Sequence, residues 1–200
     1  MTDARLPGKV CSRVRTSQAE FGEGSGHSAA YLDEQPPASR AWEAAATVTD
    51  PELPMLTLAD LGVLRQVEVA EDGTVEVAIT PTYSGCPAMA TMRDDLVRRL
   101  GEEGFPAVRV RVELDPPWST DDITAHGREA LRAAGISAPG PAPRTAGPVP
   151  LSLGPVRHRA RCPRCGSTDV ALTSEFGSTA CRALYRCREC LEPFDHLKEL

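Results

Sequence analysis

A chain of 200 residues with 41% hydrophobic and only 4% aromatic residues can build one ordinary domain and one small one, each with a modest core. It has no apolar run long enough to cross a bilayer and no apolar signal-peptide core at its start, so a cytoplasmic protein without a membrane partner is expected. The net charge of −6 is unevenly spread: residues 41–135 carry 8 Lys and Arg against 17 Asp and Glu, whereas residues 136–200 carry 9 against 6. An acidic middle segment repels phosphate backbones, so nucleic acid is not an expected partner, and a nucleic-acid reading would have to rest on the basic tail alone.

Residues 1–40 mix Gly, Ser, Arg and Pro without helical or strand period, as in Phe21-Gly22-Glu23-Gly24-Ser25-Gly26-His27-Ser28, and read as a disordered extension. A short helix is predicted over Arg40–Ala46. Pro51 then biases Asp50 out of the helical region and marks a loop bearing two carboxylates, Asp50 and Glu52. Residues 63–69 and 74–80 alternate apolar and polar side chains across a turn containing Asp72-Gly73, a β-hairpin pattern. From Pro87 the period changes. Met89, Met92, Leu96, Val97 and Leu100 recur at steps of three and four, which predicts an amphipathic helix over 87–103.

Val108, Val110, Val112 and Leu114 alternate with Arg109, Arg111 and Glu113 as a third strand with one buried face. Ser119-Thr120-Asp121-Asp122 reads as an N-cap with an acidic residue three positions on, opening a helix through Ile123 and Leu131 that stops at Gly135. Residues 136–156 contain Pro139, Pro141, Pro143, Pro148, Pro150 and Pro155 and read as a semi-rigid linker to a second domain. The expected fold class is α+β: helix, hairpin, helix, strand, helix, then a small metal-stapled ribbon over 157–200.

That ribbon carries the strongest motif of the chain. Cys162-Pro163-Arg164-Cys165 and Cys187-Arg188-Glu189-Cys190 are two Cys-x-x-Cys knuckles separated by 21 residues. Each knuckle lets two sulfurs approach one ion from a tight turn, and a hairpin between them completes a tetrahedral cage, the pattern of a structural zinc site. Seven cysteines, an odd number with four in metal spacing, favour a reducing compartment over a disulfide framework.

Cys86 stands in Thr82-Tyr83-Ser84-Gly85-Cys86-Pro87, after a strand and before a helix, where the positive end of the helix dipole would lower its pKa and favour the thiolate. A buried packing thiol is the equally weighted alternative. Asp50 and Glu52 on their own read as a solvated turn. Cys181, in Phe176-Gly177-Ser178-Thr179-Ala180-Cys181, is expected near the ribbon's ion and reads as a buried spacer thiol in preference to a spare ligand. His27, His126, His158 and His196 have no carboxylate or nucleophile at motif spacing, and no phosphate-cradling glycine loop is present.

Asp50-Pro51-Glu52, Leu58-Ala59-Asp60-Leu61-Gly62 and Thr82–Pro87 together resemble the small α/β domain of SufT-like and cytosolic iron–sulfur assembly proteins, which place a cysteine where Cys86 stands. Asp115-Pro116-Pro117-Trp118, Gly127-Arg128-Glu129, the Phe176–Cys181 stretch and Tyr185–Phe194 narrow the resemblance to the PaaD family, accessory proteins encoded with the phenylacetyl-CoA 1,2-epoxidase of phenylacetate catabolism. The resemblance spans about residues 41–196 and makes residues 41–135 the assembly-type domain. Residues 1–40 have no counterpart, and the tail reads Asp195-His196-Leu197-Lys198-Glu199-Leu200 where relatives are expected to have another cysteine.

The resemblance implies a non-enzymatic maturation factor for the epoxidase system, whose reductase carries an iron–sulfur cluster and whose catalytic subunit holds a di-iron centre. In that role Cys86 would be a transient iron or iron–sulfur ligand, with Asp50 and Glu52 beside it, and the zinc ribbon a docking module. Its partners would be the epoxidase subunits or the iron–sulfur assembly machinery, and a homodimer sharing a cluster between two Cys86 thiols stays open. A structural subunit of the epoxidase and a nucleic-acid-binding ribbon are the rival readings.

Overall fold

The computed structural model describes residues 35–83, 85–142 and 160–199; the expected disordered segment lies, up to residue 34, outside these, as do residues 143–156 of the expected linker and 157–159 of the expected ribbon. Helix α1 (Pro37–Ala46) starts three residues earlier than the periodicity suggested, because Pro37 occupies a first-turn position where its missing N–H leaves no bond unmade. The hairpin forms from β1 (Leu64–Val69) and β2 (Val75–Ile79), paired antiparallel with Val67 opposite Val77. Strand β3 (Val108–Val112) lies parallel to β2, with Val77 opposite Val110, giving a three-stranded sheet in the order β1-β2-β3. Parallel neighbours need a crossover, and α2 (Met89–Glu102) supplies it.

Burial follows the expected periods in β2 and most of α2, but not in β3, which lies at the edge of the sheet: Val108 and Val110 are only partly buried and Val112 and Leu114 are exposed, as is Val97 of α2. Val75, Val77 and Ile79 from β2, Met92, Leu96 and Leu100 from α2, and Leu56, Leu58, Leu61 and Val63 from the preceding loop are buried in one core. The sequence pattern Ser119–Asp122 does form a reciprocal capping box, but it caps only a 3-10 turn over Thr120–Asp122. Ile123 then adopts an extended backbone, and α3 (Ala125–Ala133) begins afresh with Thr124 accepting a hydrogen bond from the Gly127 amide. Two glycines allow this packing. A Cβ on Gly62, at φ +70°, would lie 2.6 Å from Asp122, and one on Gly127 would lie 2.8 Å from the Asp60 carbonyl oxygen. The Trp118 indole, buried beside them, donates to the Leu61 carbonyl at 2.8 Å.

The C-terminal ribbon is an antiparallel meander of β4 (Val170–Ser174), β5 (Arg182–Cys187) and β6 (Pro193–Leu197) in that order. Its own core is small, formed by Ala160, Cys162, Ala183, Tyr185, Cys187 and Phe194. The ribbon is not suspended at a distance from the first domain, for Gln35–Leu200 forms one compact unit. Ile136 and Ser137, expected to open a spacer, are buried, and Ser137 pairs as a one-residue parallel strand with β6. Its N–H donates to the Asp195 carbonyl at 2.8 Å, and its carbonyl accepts from Leu197 at 3.1 Å. Its hydroxyl lies 3.0 Å from His196 Nδ1 and accepts from the Arg161 amide at 3.1 Å. Leu197 and Cys181, both from the ribbon, are buried in the core of the first domain.

Candidate functional site

Two groups of thiols emerge, one in the ribbon and one where the ribbon meets the first domain. In the ribbon the Sγ atoms of Cys162, Cys165, Cys187 and Cys190 all lie within 4.8 Å of one another. The Cys162–Cys190 and Cys165–Cys187 separations are both 3.6 Å. A tetrahedral ion with metal–sulfur bonds of about 2.3 Å requires sulfur–sulfur separations of about 3.8 Å, so the four thiols fit such an ion.

The knuckles are preformed by backbone bonds. Gly166 N–H donates to the Cys162 carbonyl at 2.9 Å, and the Cys190 amide lies 3.5 Å from the Cys187 sulfur. That amide, together with neighbouring thiols, draws the Cys187 pKa down to about 7 against the pull of desolvation. The Ser167 amide pulls Cys165 in the same direction, but desolvation and the three other thiols outweigh it and carry Cys165 up to about 12. Four crowded sulfurs cannot all ionise unless a cation compensates them, the chemistry of a cation-binding donor set.

The second group gathers around Cys86. The thiol is half-buried against the first core, on the turn closed by its own N–H donating to Tyr83 at 3.2 Å. Helix α2 does not begin at Pro87: its N-cap is Ala88, which puts Cys86 two residues outside the cap. The Ala88 amide still donates to the thiol, but burial outweighs it, and Glu52, Asp50 and Cys181 add to the opposition. The Cys86 pKa is therefore raised, which corrects the lowered value expected from the helix dipole: burial outweighs the one amide that the helix end supplies, and the nearby acidic groups add to it.

Asp50 is not a solvated turn residue. It is buried, and its Oδ1 accepts from the Glu52 amide at 2.7 Å and the Leu53 amide at 2.8 Å, which fixes the loop that carries Glu52. Desolvation nevertheless raises its pKa, against those two amides and the Arg182 charge. Glu52 is partly buried, and its carbonyl accepts from Arg182 Nη2. Arg182 is itself buried and reaches Asp195 through Nη1 at 3.4 Å.

Cys181, the residue before Arg182, is buried 3.0 Å from Thr179 Oγ1. Its position differs from the sequence expectation, since it joins the first core with Cys86 packed against the same cluster and is not among the four ribbon thiols. Sequence reasoning missed Arg182 and Tyr83 as members of this group. Position 182 lies 130 residues from Glu52, and no local pattern reports a contact of that span.

A third cluster was also invisible in the sequence. Asp60 accepts from Thr57 Oγ1 at 2.8 Å and Thr124 Oγ1 at 3.0 Å, and lies 2.9 Å from His126 Nδ1. Desolvation opposes its ionisation, but His126 and the two hydroxyls prevail and hold its pKa below the usual carboxylate value. It ties the Leu58–Gly62 loop to α3 and is separate from both thiol groups.

Comparison with known proteins sorts these clusters. Residues 39–112 match the iron–sulfur cluster assembly protein family, and residues 146–198 match the PaaD zinc beta ribbon domain. Over 157 residues, 78% of this chain and 90% of the relative, the chain is 45% identical to an Escherichia coli protein named as a putative subunit of 1,2-phenylacetyl-CoA epoxidase. The chain belongs to the PaaD family. A PaaD-family chain thus joins two modules, and the first has relatives of its own. The iron–sulfur protein maturation auxiliary factor YitW of Bacillus subtilis is 31% identical over 87 residues, 42% of this chain and 82% of that protein. A solved domain of unknown function from Bacillus anthracis, DUF59, covers 48% of this chain and 91% of its own, with 26% identity and a TM-score of 0.44. Among the described residues no helix is long and apolar enough to cross a membrane.

Proposed function

We propose that this PaaD-family chain is a non-catalytic accessory protein of the phenylacetyl-CoA 1,2-epoxidase system, delivering iron or an iron–sulfur unit to its metal centres. The observation that carries the reading is the union of an assembly-family domain bearing Cys86 with a PaaD zinc beta ribbon, in a chain 45% identical to a relative named as a putative epoxidase subunit. Cys86 is the transient ligand in this reading, with Asp50 shaping the loop and Glu52 lying alongside. Iron is cargo here. A raised thiol pKa suits that use, because the resting thiol keeps its proton and metal must displace it, so binding is weak enough to reverse.

The four ribbon cysteines hold zinc as a permanent staple: four thiolates and no open position make a structural site, and a core of six buried residues is too small to hold three strands alone. The chain and its zinc are cytoplasmic in this reading, and the ribbon presents the protein to its partners.

Deleting the chain and measuring iron and cluster content of the purified oxygenase and reductase tests the proposal. Loss of metal from either, restored by the wild-type chain but not by Cys86→Ser, is the expected result; full metallation in the deletion strain overturns it. The relative's designation as a subunit motivates one rival, a structural component of the epoxidase. Stable co-purification at fixed stoichiometry with fully metallated oxygenase would favour that rival.

A further inference from the structure

At the seam between the first domain and the ribbon, helix α3 and the first knuckle line one groove of about 550 Å³. Its walls carry four guanidiniums: Arg128 and Arg132 from successive turns of α3, and Arg161 and Arg164 from the chain around Cys162. Ala125, Ala138 and Pro163 add aliphatic surface, and Glu129 is the one acidic residue of the lining. The charge is inverted relative to the first domain, where residues 41–135 carry 8 Lys and Arg against 17 Asp and Glu.

The four cations are not equally satisfied. Arg132 Nε donates to Glu129 on its own helix at 2.9 Å, and Arg164 Nη1 donates to Glu192 at 2.6 Å. Among the described residues, Arg128 and Arg161 have no carboxylate partner. Arg128 is half-buried and held by two carbonyls, Pro139 at 2.7 Å and Thr120, so a fixed cation stands at the groove with only neutral acceptors and with N–H donors to spare. Arg161 is exposed, and its Nη1 reaches the Gly166 carbonyl at 3.4 Å. Both can receive a carboxylate through two parallel hydrogen bonds, and the half-buried one gains most from it.

We infer that this groove docks an acidic segment of a partner protein, whose carboxylates meet Arg128 and Arg161 while an aliphatic side chain covers Ala138 and Pro163. The groove deepens the docking role proposed for the ribbon and rests on that role for the occupant's being a protein; Cys86 has no part in it. Cations spread over two elements suit a chain bearing several carboxylates better than a single phosphate. No aromatic residue lines the groove, so a nucleotide base has no ring to stack on. The chain's own residues 143–159 hold Arg144, Arg157 and Arg159 and no Asp or Glu, so they cannot supply the missing charge.

Titration of the isotope-labelled, zinc-loaded full-length protein with the peptide Glu-Leu-Glu-Glu-Leu-Glu, followed by nuclear magnetic resonance, tests the inference. Saturable shifts are expected at Arg128, Ala138, Arg161 and Gly166, and binding should weaken as salt is raised. Arg161→Glu should weaken it at least about tenfold, because a charge-assisted hydrogen bond is lost and a like charge takes its place. Zinc content and melting temperature should hold, since that side chain is exposed. Arg161→Lys keeps the charge without the planar fork and should fall between the two. A peptide with Lys in place of Glu should not bind, and one with Ser in place of Leu should bind more weakly.

No saturable shift, shifts confined to other surfaces, or wild-type affinity in a folded Arg161→Glu protein overturns the inference. Inorganic pyrophosphate that binds these residues more tightly than the peptide would make the groove a site for small phosphates, and self-association dispersed by the peptide would make its occupant a second copy; either overturns it too. Failure here with Cys86→Ser still blocking iron delivery would leave the proposed function standing. An iron-replete epoxidase in the deletion strain would remove that function whatever the peptide does.

Discussion

The two thiol groups of this chain differ in how they were assembled, and the difference bears on what each can do. The ribbon cluster comes from two local turns of identical spacing, needs only a hairpin to meet, and brings four sulfurs within 4.8 Å of one another. The Cys86 group comes from a loop of the first domain, a loop before the sheet and the first residues of a ribbon strand, and it assembles only when the modules pack. Closed four-sulfur geometry suits retention, while a single half-buried thiol such as Cys86, the ligand of the proposed function, suits exchange.

Breaking the ribbon should have the larger effect. Cys187→Ser with Cys190→Ser removes half the ligands of the proposed zinc site, and since structural zinc binding contributes on the order of 10 kcal/mol to the folding of such ribbons, β4–β6 should unfold. Loss of zinc by elemental analysis together with loss of strand signal in circular dichroism is the expected outcome; a ribbon that keeps its strands without zinc would show that the small core suffices. Because Leu197 and Cys181 are buried in the first core, the damage should spread. Fluorescence of Trp118, buried in the first domain, should report a lower melting temperature on chelation, in contrast with the independent unfolding that the proline-rich spacer suggests.

A milder cut tests the seam alone. Leu197→Ala should destabilise the chain by about 2–5 kcal/mol, as large-to-small changes at well-packed core positions do, while zinc content stays unchanged. Coincident transitions by Trp118 fluorescence and by strand signal would show that the two modules unfold together. Two separated transitions would show that the seam contributes little.

At the Cys86 group, Asp50→Ala leaves the Glu52 and Leu53 amides without their acceptor and should cost about 1–3 kcal/mol. Asp50→Asn keeps an acceptor oxygen and isolates the charge. Since the Asp50 pKa is raised in the folded state above its ordinary 3.8, the protonated form contributes stability that is complete below that value and is lost as pH rises through the folded pKa. The Asn variant should therefore gain on the wild type between pH 3 and pH 7, which urea unfolding at the two pH values measures.

The smallest expected effect lies in the second knuckle. Gly166 and Leu191 each follow the last cysteine of a knuckle, and both sit at left-handed φ, 76° and 64°. Leucine pays about 1–2 kcal/mol there, partly offset by the chain entropy that glycine loses on folding. Leu191→Gly should thus raise stability by up to about 1 kcal/mol, read as a small upward shift of the zinc-loaded melting temperature; an equal fall would mean that the exposed leucine makes compensating contacts.

Residue periods of two and three to four placed β1–β3 and α2 within a few positions, because those patterns reflect which side chains face the core of each element taken by itself. The knuckle spacing placed the four-sulfur cluster for the same reason, since each Cys-x-x-Cys is a single turn. The loop Asp50-Pro51-Glu52 was legible as a turn with carboxylates, but not as the support of a thiol. Whether Ser119 capped one helix or a turn before another depended on Asp122 and Gly62 meeting at close range, which a local N-cap signature does not report.

What the sequence determined by itself is therefore everything carried by neighbours along the chain: the elements, the ribbon's knuckles and the motifs that mark the PaaD family. Only the tertiary structure decided that Ser137 pairs with β6, that Cys181 belongs with Cys86 and not with the ribbon's four thiols, and that the Cys86 pKa is raised and not lowered. Each depends on desolvation and on contacts between residues tens of positions apart, quantities that exist only once the two modules have closed on one another.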